Sequence, residues 1–161
     1  MKTFGFYGER HSGKTTVIEK IIKELVKKGY RVATVKHTHL DIKLDRENED
    51  TKKHREAGAF VSTLCAKNET SIIFSDPLKL EEILKVLKPL CDIVLVEGFK
   101  DAKIKKFGFG NVEFAEGTLF KYDKKRFKEV LEIIEKDLEN KTTKNKTTKN
   151  KKQRKRKEGR R

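Results

Sequence analysis

The sequence has little with which to build a disulfide framework, a structural zinc site or a membrane anchor. Its two cysteines, Cys65 and Cys91, are far apart and each lies in or beside an apolar stretch, the setting of buried, reduced thiols. No apolar run approaches the length that crosses a bilayer. Met1 to Gly8 is too short and too mixed in character for a secretory core. The expectation is a cytoplasmic protein with no membrane partner.

Acidic residues are also scarce, but unevenly. The 161 residues contain 40 Lys/Arg against 25 Asp/Glu, a net charge of +15. Residues 141–161 hold twelve of the basic residues and a single acid, Glu158, which leaves about +4 for the first 140. The end of the chain repeats KTTKN at 141–145 and 146–150 and continues as KKQRKRKEGRR, with no aliphatic or aromatic residue. Such a segment cannot offset the entropy of ordering and is expected to be disordered. It should attract polyanions without sequence preference, yet it has no ring on which a base could stack. The predicted organisation is one nucleotide-binding domain over 1–140 and a low-complexity basic tail over 141–161.

What is present is more pointed. Gly8-Glu9-Arg10-His11-Ser12-Gly13-Lys14-Thr15 fits the pattern G-x-x-x-x-G-K-[ST]. Before it, Lys2 to Tyr7 is short, aromatic-rich and followed by Gly8, which reads as a strand. After it, Val17, Ile18, Ile21, Ile22, Leu25 and Val26 recur at helical spacing, and Gly29 supplies the stop. Strand, glycine-bounded loop and amphipathic helix form the context in which this motif cradles phosphates. Backbone N–H groups and the positive end of the helix meet the negative charge. Gly8 through Thr16, with Glu9, Arg10, His11, Ser12, Gly13, Lys14 and Thr15 between them, are the candidate nucleotide-binding residues. Lys14 would reach the β- and γ-phosphates, and the Thr15 hydroxyl would hold Mg²⁺.

The remaining pattern is α/β. Residues 31–36, 60–65, 71–74 and 92–96 read as strands, the last as a continuous apolar run of the kind buried on both faces of a parallel sheet. Residues 51–59 read as a short helix. Asp76-Pro77 reads as cap and first position of another helix, faced by Leu80, Ile83, Leu84 and Leu87 and ended by Pro89. Asp123 can cap a last helix, faced by Phe127, Val130, Leu131, Ile134 and Leu138. The alternation predicts a doubly wound, mainly parallel sheet of P-loop NTPase architecture, with ligands at the carboxyl ends of its strands.

Glu97 closes the 92–96 strand at that edge, where a carboxylate can bind Mg²⁺ or orient an attacking water. Lys14 and Glu97 are therefore the candidate catalytic residues. Lys36-His37-Thr38-His39, with Asp41, Asp45 and Asp50 downstream, offers transition-metal donors, but at a spacing that defines no site. A mobile segment that senses phosphates or metal, or contacts a second ligand, is the better reading.

Three blocks in order, GERHSGKTTVIEKII (8–22), VKHTHLDIKLDRENEDTKKHREAGA (35–59) and VLVEGFK (94–100), resemble the MobB family, molybdopterin-guanine dinucleotide biosynthesis protein B. The resemblance covers roughly residues 1–105. It implies a dimeric, GTP-binding P-loop protein with weak Mg²⁺-dependent GTPase activity. Such a protein assists the molybdopterin guanylyltransferase and other proteins of molybdenum (or tungsten) cofactor biosynthesis. By position it assigns phosphate binding to Gly8–Thr16 and Mg²⁺ to Thr15 and Glu97, with Asp45 near the metal. The sequence departs from the family at Lys43 and Glu47-Asn48, and lacks the family's Ala-Ser-Asp segment and any Asn-Lys-x-Asp motif, so guanine selectivity rests on the resemblance. Two other readings share the same loop: a small-molecule kinase with its acceptor near His37, His39 and Arg55, and a nucleotide-regulated nucleic-acid binder acting through the tail.

Overall fold

The computed structural model describes residues 1–42 and 50–140. Along the chain run β1 (Lys2–Gly8), α1 (Lys14–Lys27), β2 (Val32–Lys36), α2 (Asp50–Glu56), β3 (Val61–Cys65), β4 (Thr70–Phe74), α3 (Leu80–Leu87), β5 (Ile93–Glu97), β6 (Lys105–Phe109) and β7 (Thr118–Lys121). A 3-10 turn at Lys124–Arg126 leads into a last helix, α4, over 127–140. The expected tail, 141–161, lies outside the described residues. The chain divides into two compact units, one of Met1–His37 with the chain from Val86 onward, the other Thr38–Lys85.

The first unit is a five-stranded sheet ordered β2-β5-β1-β6-β7, with every neighbouring pair parallel. This is the parallel α/β architecture that the alternating pattern predicts. Phe4 and Phe6 of β1, Ile93 and Leu95 of β5, and Phe107 and Phe109 of β6 share one face. Against them pack Val17, Ile18, Ile21 and Leu25 of α1 and Val130, Ile134 and Leu138 of α4. Each such side chain, removed from water, contributes about 1.5–3 kcal/mol. Val26, which shares the helical spacing, is instead 55% exposed. α1 ends as its sequence requires: Gly29 adopts φ 81°, its N–H donates to Val26 O at 2.9 Å, and Tyr30 N–H donates to Leu25 O at 3.1 Å, the Schellman arrangement.

The opposite face carries Gly5 and Tyr7 of β1 and Lys106 and Gly108 of β6. The chain passes from β5 to β6, across β1, in only the seven residues 98–104. It crosses close over Gly5, where a Cβ would meet Lys106 Cβ at 3.0 Å and Ile104 Cδ1 at 3.2 Å. Lys106, 1% exposed, donates from Nζ to Lys100 O at 2.6 Å and also to Ala102 O, tying the crossover down. Burial pushes the Lys106 ammonium below the ordinary lysine value, opposed by Tyr7, Asp101 and Glu116. Tyr7 Oη donates to Glu113 O at 3.0 Å and accepts from Ala115 N–H at 3.1 Å, anchoring the 110–117 segment to the same face.

In the second unit, β3 and β4 form an antiparallel hairpin separate from the main sheet. Arg55 of α2 donates to Ser62 Oγ at 2.6 Å and to Thr51 O at 3.3 Å, fastening helix to hairpin. Three differences from the sequence reading have physical causes. β6 is not legible, because Lys105-Lys106-Phe107-Gly108-Phe109 places a buried lysine and a glycine where apolar residues mark a strand, and β7 is only four residues long. α3 starts at Leu80 rather than at Pro77, because Glu82 accepts the Lys79 N–H at 2.8 Å and caps the helix there. Cys91 is buried as expected, but Cys65 is exposed at the end of the hairpin.

Phe107 contacts Phe4, Phe6 and Phe120 at ring-centroid distances of 6.1, 5.5 and 5.2 Å. Phe107→Ala should therefore cost about 3–5 kcal/mol, read as a lower urea midpoint at unchanged slope; a loss under about 1 kcal/mol would contradict this core assignment.

Candidate phosphate and metal site

All five parallel strands end at one edge, and the candidate residues gather there from β1, β2 and β5. Gly8 closes β1 with φ 143°. Its reason is the neighbouring strand: a Cβ there would lie 2.0 Å from Phe109 O, and Glu9 N–H donates to that same carbonyl at 3.2 Å. The support under the loop from Phe109 and Gly110 is absent from the sequence reading; the Phe-Gly-Phe-Gly run at 107–110 is its only signal. The loop then turns through His11 at φ 59° and Gly13 at φ 86°. At Gly13 a Cβ would meet nothing within 4 Å, so that glycine serves backbone conformation rather than space.

Lys14 opens α1, and no side chain caps the helix and no acid occupies its first turn. The first-turn N–H groups and the positive helix end are thereby left for an anion. Lys14 Nζ folds back over the loop, donating to Gly8 O at 3.1 Å, to Glu9 O, and to Ser12 Oγ at 3.3 Å. Ser12 Oγ in turn donates to Glu9 O at 2.8 Å. Arg10 and Thr16 are exposed beside them.

Glu97 lies level with Phe6 of β1 on one side and Lys36 of β2 on the other. Thr15 Oγ1 is 3.3 Å from each of its carboxylate oxygens, and Lys36 Nζ is 3.7 Å from Oε2. The fold thus brings together Lys14, Thr15 and Glu97. Asp45, the other expected metal ligand, lies outside the described residues. Gly98 follows at φ 95°, where a Cβ would lie 2.9 Å from His37 Cβ. His37 N–H donates to Glu97 O at 2.9 Å, and its ring packs against that of Phe99 at a tilt of 33°, centroids 4.4 Å apart. His37 is thereby part of the packing around Glu97. Among the described residues no group of three or more His, Cys, Asp or Glu could hold a metal. Thr15 with one carboxylate suits Mg²⁺, which keeps most of its waters and takes further oxygens from bound phosphates.

Residues 3–136 match the family model MobB, molybdopterin guanine dinucleotide synthesis protein B. A protein of Methanocaldococcus jannaschii is 41% identical over 103 residues, covering 63% of this chain and 42% of its own length. A Haemophilus influenzae protein named molybdopterin-guanine dinucleotide biosynthesis adapter protein is 37% identical over 106 residues, covering 63% of this chain and 59% of that protein. The chain therefore spans about half the length of these relatives. The crystal structure of a MobB protein homolog from Bacillus stearothermophilus superposes with a TM-score of 0.58 at 24% identity, over 87% of this chain and 99% of that one, a likeness of fold. No helix among the described residues is long and apolar enough to cross a membrane.

The two loop glycines should respond differently to a methyl group. Gly8→Ala forces a backbone clash as well as a strained φ and should cost clearly more than the roughly 1–2 kcal/mol expected of Gly13→Ala. Thermal unfolding of the two variants would show it, and equal losses would count against the tight β1–β6 approach.

Proposed function

The chain belongs to the MobB family, and we propose on that premise that it is a GTP-binding adapter in the biosynthesis of the guanine dinucleotide form of the molybdopterin cofactor. The observation that carries the reading is the convergence of Lys14, Thr15 and Glu97 at the mouth of an uncapped helix. Backbone N–H groups of residues 9–16 hold the phosphates, and Lys14 turns from its loop carbonyls onto the β- and γ-phosphates. Mg²⁺ held at this edge would supply neutralisation of the phosphate charge. Thr15 and Glu97 would hold it, with Asp45 the further ligand that the family resemblance implies. Glu97, 16% exposed, would also orient a water for weak GTP hydrolysis. The partner is the guanylyltransferase that joins GMP to molybdopterin.

The exposed hairpin favours a homodimer in the same reading. Val61, Leu64 and Ile72 are 42%, 47% and 52% exposed on a two-stranded sheet, and a lone hairpin gains little stability in water. Residues 1–140 act as the nucleotide-binding domain, and the basic segment 141–161 adds nonspecific attraction to polyanions. The protein works in the cytoplasm.

Calorimetric titration with non-hydrolysable GTP and ATP analogues, each with Mg²⁺, tests the assignment. The GTP analogue should bind more tightly, and Lys14→Ala should weaken it by about tenfold or more, the worth of a hydrogen bond to a charged group. An ATP preference, or phosphoryl transfer to an acceptor faster than hydrolysis, would move the protein to the kinase class. Unchanged affinity in Lys14→Ala would remove the phosphate site itself.

A further inference from the structure

Lys36 is the residue at this edge that the phosphate loop does not account for. It ends β2, paired in register with Glu97, and its Nζ stands 3.7 Å from the Glu97 carboxylate while the side chain remains 65% exposed. As a device for stability the pair is poor, because an ion pair this exposed contributes about 0–1 kcal/mol. Its placement is nevertheless fixed from both sides. The ladder sets Lys36 beside Glu97, and the next residue continues it through His37 N–H to Glu97 O at 2.9 Å. The backbone is held while the ammonium stays free to swing on its flexible four-carbon stem.

We propose that Lys36 is the residue by which the site distinguishes a nucleoside triphosphate from a diphosphate. The inference rests on the nucleotide-binding reading above and deepens it. Glu97 is shared by Thr15 and Lys36. A divalent cation held by Thr15 and Glu97 would compete with the ammonium for the carboxylate, and Lys36 would then be free to change partner. The Lys36 ammonium stands on the same edge as Lys14, within reach of the place a terminal phosphate would take. Only the terminal phosphate supplies the extra negative charge that replaces Glu97 as its partner. Lys14 and the helix N-terminus serve both nucleotides, whereas Lys36 serves the longer one. No bond is made or broken in this step, which is an exchange of ion-pair partners.

The test is calorimetric titration of the full chain, wild type, Lys36→Ala and Lys36→Met, with GDP and with a non-hydrolysable GTP analogue, each in Mg²⁺. Lys36→Met keeps the stem over the sheet edge and guards against a folding defect in the shorter variant. In both variants affinity for the GTP analogue should fall about tenfold, as for loss of a charge-assisted contact. GDP affinity should stay within about twofold, and Lys36→Arg should restore part of the discrimination. Equal losses for the two nucleotides, or none, would overturn the role of Lys36 while leaving the nucleotide site standing. A wild-type chain that bound neither nucleotide would overturn both.

Discussion

The central position of β1 is the constraint on which the site depends. Its parallel pairing with β5 brings Phe6 level with Glu97, and its pairing with β6 brings Gly8 level with Phe109. One strand thus sets the height of the carboxylate and of the floor beneath the phosphate loop. The aromatic side chains that hold it, Phe4 and Phe6 against Phe107 and Phe109, face the helices, so the packing that stabilises the sheet also fixes the geometry at its edge. A slip of one residue in either ladder would turn every side chain of that strand to the other face.

The glycines at this edge have reasons different from those the motif suggests. In the sequence, Gly8 opens the phosphate-loop pattern and Gly98 directly follows the candidate carboxylate Glu97. In the fold, Gly8 is required by the Phe109 carbonyl and Gly98 by the His37 side chain. Both are packing constraints within the protein, and they bring the loop and the carboxylate strand as near to their neighbours as backbone allows. A sequence pattern locates such positions without revealing the packing that requires them.

Legibility followed how each element earns its stability. β1, α1 and β5 declare themselves because a motif, a helical stripe and an unbroken apolar run each survive in one short window. The same holds for α4, whose predicted face is Val130, Ile134 and Leu138 in the core with Phe127 and Leu131 beside it. β6 escapes because its strand character lies in long-range pairing to β1, while its own residues, Lys106 and Gly108 among them, argue locally against a strand. Of the site, Lys14, Thr15 and Glu97 are readable as candidates. Their meeting, at 3.3 Å between Thr15 and Glu97, is not, because it depends on the order of strands in the sheet.

The brief span from β5 to β6 has a mechanical side. A long helical crossover would insulate its two strands, since a helix can slide without dragging either end. Here the span is seven residues, pressed onto Gly5 and tethered by Lys106 to Lys100 and Ala102. It begins one residue after Glu97 and leads into the strand whose Phe109 carbonyl braces Glu9. Carboxylate, span, brace and phosphate loop therefore form a closed ring of short, stiff links through β1. Glu97 and the loop backbone at Glu9 are thereby linked without passing through the helical layer, so a displacement at one would be carried to the other.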